Sequence, residues 1–186
     1  MRVAVYCGSA SGNEPVFVEA TKKLGKYFAE QGIDVVYGGG HVGLMGTIAD
    51  TVLEAGGKVF GVMPEDLVNR EIAHKHLTDL AVVDNMHERK ALMAEMADAF
   101  VALPGGAGTL EEIFEAWTWA QLGHHSKPCA FYNVHGFYEP LFGMLTNMIQ
   151  KGFLKPEYSN MLIRVDEPEA LVEAFRFYKA PQKKWS

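Results

Sequence analysis

Cysteine is scarce in this chain of 186 residues: Cys7 and Cys129 are the only two. So few exclude the disulfide framework of a small secreted domain. Both fall in or at the end of apolar strand-like runs, which reads as two reduced core thiols in a cytoplasmic protein. Positive charge is short as well, with 17 Lys and Arg against 23 Asp and Glu and a net charge of −6. No basic field exists to hold nucleic acid or an anionic membrane, so neither is expected as a partner. An anionic ligand must then be held by backbone amides or by a few placed cations. Long apolar runs are also missing. The opening "MRVAVYCGSASGNEP" is too short for a signal-peptide core, and no later stretch approaches a membrane span. The histidines lack metal-ligand spacing: His124 and His125 are adjacent and His74 and His76 sit in a polar stretch, so no metal is expected.

What the chain does have is alternation. Short β-branched runs at 2–7, 34–38, 58–63, 80–84, 99–104, 128–133 and 162–166 read as strands, most of them apolar on both faces. Between them, helical spacing of apolar residues marks 14–32, 43–57, 86–99, 109–123, 137–152 and 167–178. Strand–helix alternation predicts an α/β fold: an open parallel sheet of about seven strands with helices on both faces and right-handed crossovers. No linker or repeat divides it, so residues 1–180 are expected to form one domain and 181–186 a frayed tail. The Met- and Trp-rich helices read as core or subunit interface.

Open parallel sheets bind ligands beyond the carboxyl ends of their strands, which directs attention to the loops there. "GGGHVGLMG" (38–46) contains Gly38, Gly40 and Gly43 in a G-x-G-x-x-G pattern. It is either a pyrophosphate loop or a tight strand-to-helix turn. In "PGGAGTLEE" (104–112), Gly105, Gly106 and Gly108 free backbone amides for an anion nest at a helix start. The competing reading is a capping box, with Thr109 as cap and Glu112 reaching back; it leaves Glu111, Glu115 and the glycines unexplained. In "NMHERK" (85–90), Asn85 and Glu88 form a plausible cap, yet Arg89 and Lys90 follow at once, at the end of a helix that disfavours cations. They are a solvated face, or they meet an anion in the cleft, either a ligand phosphate or Glu112.

Together "VYGGGHVGLMG", "MHERKALM", "ALPGGAGTLEE" and "TWAQLG" resemble, in order and spacing, the LOG (Lonely Guy) proteins, phosphoribohydrolases often labelled lysine decarboxylases. The likeness covers nearly the whole chain; at Ala107 many plant members are expected to carry Tyr. It implies a Rossmann-like domain that forms a homodimer with active sites near the subunit interface. The implied reaction, without a cofactor, is hydrolysis of an adenosine-type 5'-monophosphate to free base and ribose 5-phosphate. Carried over by position, the catalytic pair is Arg89 and Glu112. Implied substrate contacts are Glu71, Lys90, Gly106, Ala107, Gly108, Thr109, Leu110, Glu111 and Thr118. A further phosphate or nucleotide loop is expected from Gly8, Ser9, Gly39, Gly40, Gly43 and Met45. Glu112, beside Arg89 at a helix start, is expected to stay ionised. The main competing function is a noncatalytic nucleotide carrier. A pyridoxal enzyme lacks a lysine in a suitable context, and a dinucleotide oxidoreductase rests on one glycine pattern alone.

Overall fold

The computed structural model describes residues 1–68, 70 and 73–180; the tail expected to fray, 181–186, lies outside them. The seven expected strands are β1 (Arg2–Tyr6), β2 (Asp34–Tyr37), β3 (Val59–Pro64), β4 (Asp79–Val83), β5 (Ala99–Ala102), β6 (Cys129–Tyr132) and β7 (Leu162–Val165). All pair in parallel, in the order β4-β3-β2-β1-β5-β6-β7. Each lies within two residues of its sequence run.

The helices are α1 (Pro15–Glu30), α2 (Gly43–Glu54), α3 (Glu65–Val68), α4 (Met86–Met96), α5 (Ala107–Leu122), α6 (Glu139–Gln150), α7 (Pro156–Ser159) and α8 (Pro168–Phe177). The single turns α3 and α7 are too short to show a helical period in sequence. Proline opens α1, α6, α7 and α8 in the first turn, where its missing N–H costs nothing.

Strand alternation sorts the core into two layers. Val3, Val5, Val35, Tyr37 and Val101 pack with Leu24 and Phe28 of α1, Ile48 of α2 and Leu171 of α8. Ala4, Tyr6, Val36, Phe100 and Phe131 pack with Met93 of α4, Trp117 of α5 and Leu145 of α6. Helices therefore cover both faces, which is why the strands read as continuous apolar runs. Cys7 and Cys129 are free, buried and in different layers, and burial pushes both thiols well above their usual pKa range. No helix among the described residues is long and apolar enough to cross a membrane.

Strand order places the site. From β1 the chain adds β2, β3 and β4 on one side, then returns to add β5, β6 and β7 on the other. The reversal falls between β1 and β5. Their following loops part toward α1 on one face and α5 on the other, opening a crevice at the carboxyl edge.

Candidate active site

A cavity of about 330 Å³ occupies that crevice. Gly8, Ser9, Met45, Arg89, Gly106, Ala107, Gly108, Thr109, Glu111 and Glu112 all line it, drawn from four separate loops and helix starts. Gly38 of the G-x-G-x-x-G loop lines it as well, and so do Val5, Tyr6, Cys7 and Met86, which the sequence did not mark as site residues. Their signal is position: most end a strand or follow one at the sheet's reversal.

Arg89 enters from the first turns of α4. The cap expected there is present: the Glu88 N–H donates to Asn85 Oδ1 at 3.0 Å, and Glu88 reaches back to the Asp84 N–H at 3.2 Å. Arg89 as a whole is only 8% exposed, too buried for a solvated face. Its Nε donates to the Val62 carbonyl at 3.1 Å and its Nη2 to the Gly38 carbonyl at 2.9 Å. The charge is thus held by backbone dipoles just past β2 and within β3. Gly38 has to be glycine for this, because a Cβ there would sit 1.7 Å from Nη2.

Lys90 turns elsewhere. Its Nζ contacts Glu111 at 2.5 Å and Glu115 at 3.1 Å, and the Glu111 hydrogen bond raises its pKa above the usual lysine value. Those two carboxylates, unexplained by a capping box, neutralise a nearly buried ammonium and tie α5 to α4. Lys90 itself does not line the cavity.

The capping box at Thr109 does not form. α5 starts at Ala107 with Gly106 as its N-cap, and no side chain caps it. Thr109 is a buried helical residue packed toward Gly105, where a Cβ would meet Thr109 Oγ1 at 2.1 Å. The first bond closing the helix runs from the Leu110 N–H to the Gly106 carbonyl, at 3.2 Å. The N–H groups of Ala107, Gly108 and Thr109 precede it, and all three residues line the cavity. A Cβ at Gly106 or Gly108 would touch nothing within 4 Å, so the fold itself has no steric need for glycine at either position.

Glu112 stands one turn further along α5, on the cavity wall. Burial raises its pKa to about 7, outweighing the downward pull of Arg89 and Lys90; Glu111 and Glu115 push it up further. The expectation that Glu112 stays ionised is therefore corrected: near neutrality it divides between its two forms. Desolvation wins because Arg89 spends its hydrogen bonds on carbonyls instead of on this carboxylate.

The loop into α2 has a different use from a pyrophosphate cradle. The Leu44 N–H points at the Ala10 carbonyl (3.4 Å) and the Met45 N–H at the Gly8 carbonyl (3.3 Å). The β1–α1 loop thereby takes amides that a pyrophosphate would need. Gly43 has φ +57°, and a Cβ there would meet the Ser9 carbonyl carbon at 2.4 Å, so tight packing accounts for this glycine. Gly39, Gly40 and Gly43 are outside the cavity wall, as are Leu110, which packs in the α4–α5–α6 layer, and the exposed Thr118. Glu71 lies outside the described residues. Among the described residues no group of three His, Cys, Asp or Glu side chains is placed to hold a metal ion.

A family model described as possible lysine decarboxylase matches residues 45–175. The cytokinin riboside 5'-monophosphate phosphoribohydrolase LOG of Oryza sativa subsp. japonica is 46% identical over 171 residues, spanning 92% of this chain and 71% of its own. LOG7 of Arabidopsis thaliana, of the same description, is 44% identical over 178 residues, spanning 96% of this chain and 82% of its own. Solved structures share the fold at lower identity. The molybdenum cofactor binding protein of Rippkaea orientalis superposes with a TM-score of 0.71 at 20% identity, covering 94% of each chain. The Moco carrier protein of Chlamydomonas reinhardtii gives 0.69 at 17% identity, again over 94% of each.

Proposed function

Since the chain belongs to the LOG family of phosphoribohydrolases, we propose that it hydrolyses the N-glycosidic bond of adenosine-type 5'-monophosphates, releasing free base and ribose 5-phosphate. The observation that carries this reading is one cavity holding a buried arginine, a carboxyl poised near neutrality and an open helix N-terminus. The 5'-phosphate sits on the N–H groups of Ala107–Thr109, where the α5 dipole favours an anion. This fixes the sugar over Glu112. As the C1'–N bond lengthens, positive charge grows on the ribose, and the Glu112 carboxylate stabilises it and draws a proton from the attacking water. Water adds to C1', the bonding pair leaves with the base, and the proton that Glu112 takes from the water is given up to solvent as the base nitrogen takes one from solvent, so that neutral free base is released. Arg89, with its charge uncommitted to any carboxylate partner among the described residues, meets the negative charge that builds on the departing base as the bond breaks, so it acts in the transition state more than in binding.

A noncatalytic carrier uses the same cleft in the second reading, which the fold shared with the cofactor-binding and carrier proteins favours. Chromatography separates the two. AMP and isopentenyladenosine monophosphate, each incubated with the protein and no added cofactor, are expected to yield base and ribose 5-phosphate. Binding without product would give the carrier first place.

The pH profile follows from Glu112. Its active form is the carboxylate and its pKa is about 7, so kcat/KM is expected to rise with pH and level off above that value. The second ionisation of the substrate phosphate lies near 6, below this step. An optimum on the acid side of 6 would overturn the role. Gly108→Ala tests the phosphate site separately from the fold. Alanine improves helix propensity by about 1 kcal/mol, so stability should hold or rise. Its methyl group enters the space the phosphate needs, raising KM by roughly 10–100-fold if one to two charge-assisted hydrogen bonds are lost. Unchanged KM in steady-state assays would move the phosphate elsewhere.

The reading includes a homodimer. Thr118, implied as a substrate contact, is exposed and off the cavity wall of its own chain, so it fits that role only across a subunit interface. Met86, 44% exposed on the cavity wall, and Val82, 52% exposed on the edge strand β4, supply apolar surface for one. A monomer in light scattering would remove Thr118 from the site.

A further inference from the structure

Three successive carbonyls after β2 each have a dedicated partner. Gly38 accepts from Arg89 Nη2 at 2.9 Å, Gly39 accepts from the His74 N–H at 2.8 Å, and Gly40 accepts from the Tyr37 hydroxyl at 2.8 Å. Gly40 also forms an isolated antiparallel bridge with Ala73. The loop that grips Arg89 is therefore clamped by residues 73 and 74 of the β3–β4 connection.

His74 is built for that clamp. Its side chain is nearly fully buried, which is unusual for a histidine in a polar connection. Nδ1 accepts from the His76 N–H at 3.1 Å, so Nδ1 carries no proton, and Nε2–H donates to Asp50 Oδ1 at 2.8 Å. One neutral ring thus closes a local turn and reaches across to α2. From Asp50 the contacts run through His74 to Gly39 and Gly38, and end on the guanidinium of Arg89.

We propose that the His74–Asp50 pair is a positioning element for Arg89: it holds the Gly38–Gly40 loop, and hence the carbonyl that aims the guanidinium into the cavity. This rests on the reading of Arg89 as part of the reaction machinery. It adds two residues that touch no substrate. Holding a charged group to within about 0.5 Å requires such support, because Gly38 and Gly39 have no side chain of their own to pack.

Substitutions can divide the pair's two contacts. His74→Asn retains an acceptor for the His76 N–H, as in an Asx turn, and loses the reach to Asp50. Asp50→Ala removes the same link from the other side. Asp50→Asn keeps an oxygen that accepts from Nε2–H. With wild-type turnover of AMP established first, His74→Asn and Asp50→Ala are expected to lower kcat about tenfold while KM stays within about twofold, because the phosphate is held by α5. Asp50→Asn should restore most of kcat, and the double variant should be no worse than either single one. The Arg89 Nε–H resonance, followed by ¹⁵N NMR in hydrogen exchange, should exchange faster in His74→Asn at a temperature where the protein is fully folded. Unchanged kcat, or a loss that tracks only the unfolded fraction with unaltered Arg89 exchange, overturns the proposal. A wild-type protein that binds AMP and never cleaves it overturns the phosphoribohydrolase reading instead, and the exchange measurement still decides the positioning role.

Discussion

Glu112→Gln is expected to lose about 10³-fold in kcat, within the range for removing a positioned acid–base group, while still binding AMP. It should also change stability in a way that depends on pH. The folded pKa of about 7 is raised above the ordinary 4.5, so between those values the native state holds more protons than the unfolded chain. The stabilising contribution is complete below about 4.5 and is lost as pH rises through 7. Glutamine does not titrate. The variant should therefore match wild type in acid and exceed it at pH 8–9, by up to about 3.5 kcal/mol at about 1.4 kcal/mol per pKa unit. Urea titrations at pH 5 and pH 8.5 measure this directly. A variant equally stable at both, relative to wild type, would mean that burial does not set the Glu112 pKa. A variant with most of its kcat would remove Glu112 from the chemistry.

Gly38→Ala is the second large effect, and it acts on Arg89 without altering any charge. The new methyl would sit 1.7 Å from Nη2 and 2.9 Å from Met45 Cε, so the guanidinium must leave the Gly38 carbonyl. The backbone tolerates the change, because Gly38 is not among the glycines with positive φ. A displacement of about 1 Å at a reacting centre costs about 10²-fold, and kcat should fall by at least that much. Made in an Arg89→Ala background, the same substitution should add almost nothing, since its target is gone. Full additivity of the two losses in steady-state assays would show that Gly38 serves something other than Arg89.

Much of the fold was legible because its signals are local. Alternating apolar runs marked all seven strands, and double-sided burial made them recognisable as a parallel sheet. The cap at Asn85 and Glu88 was readable too, since its partners lie within four residues. The same local logic misplaced the start of α5: Thr-x-x-Glu matched a capping box, but the helix begins two residues earlier, at Ala107 with Gly106 as its N-cap, and Thr109 packs inward. Arg89 stood out as a cation at the wrong end of a helix. What compensates it did not, because Gly38 and Val62 lie 51 and 27 residues away in sequence.

By itself, then, the sequence determined the strand–helix alternation, the glycine-rich loops at the carboxyl edge and the family to which the chain belongs. Each follows from the period, composition or order of nearby residues. Only the tertiary structure decided which glycines pack the fold and which leave room for a ligand, why Lys90 pairs with Glu111 and Glu115, and that Glu112 titrates near neutrality. Those outcomes depend on desolvation and on contacts between distant segments, and neither quantity exists until the sheet brings β1, β2 and β5 side by side.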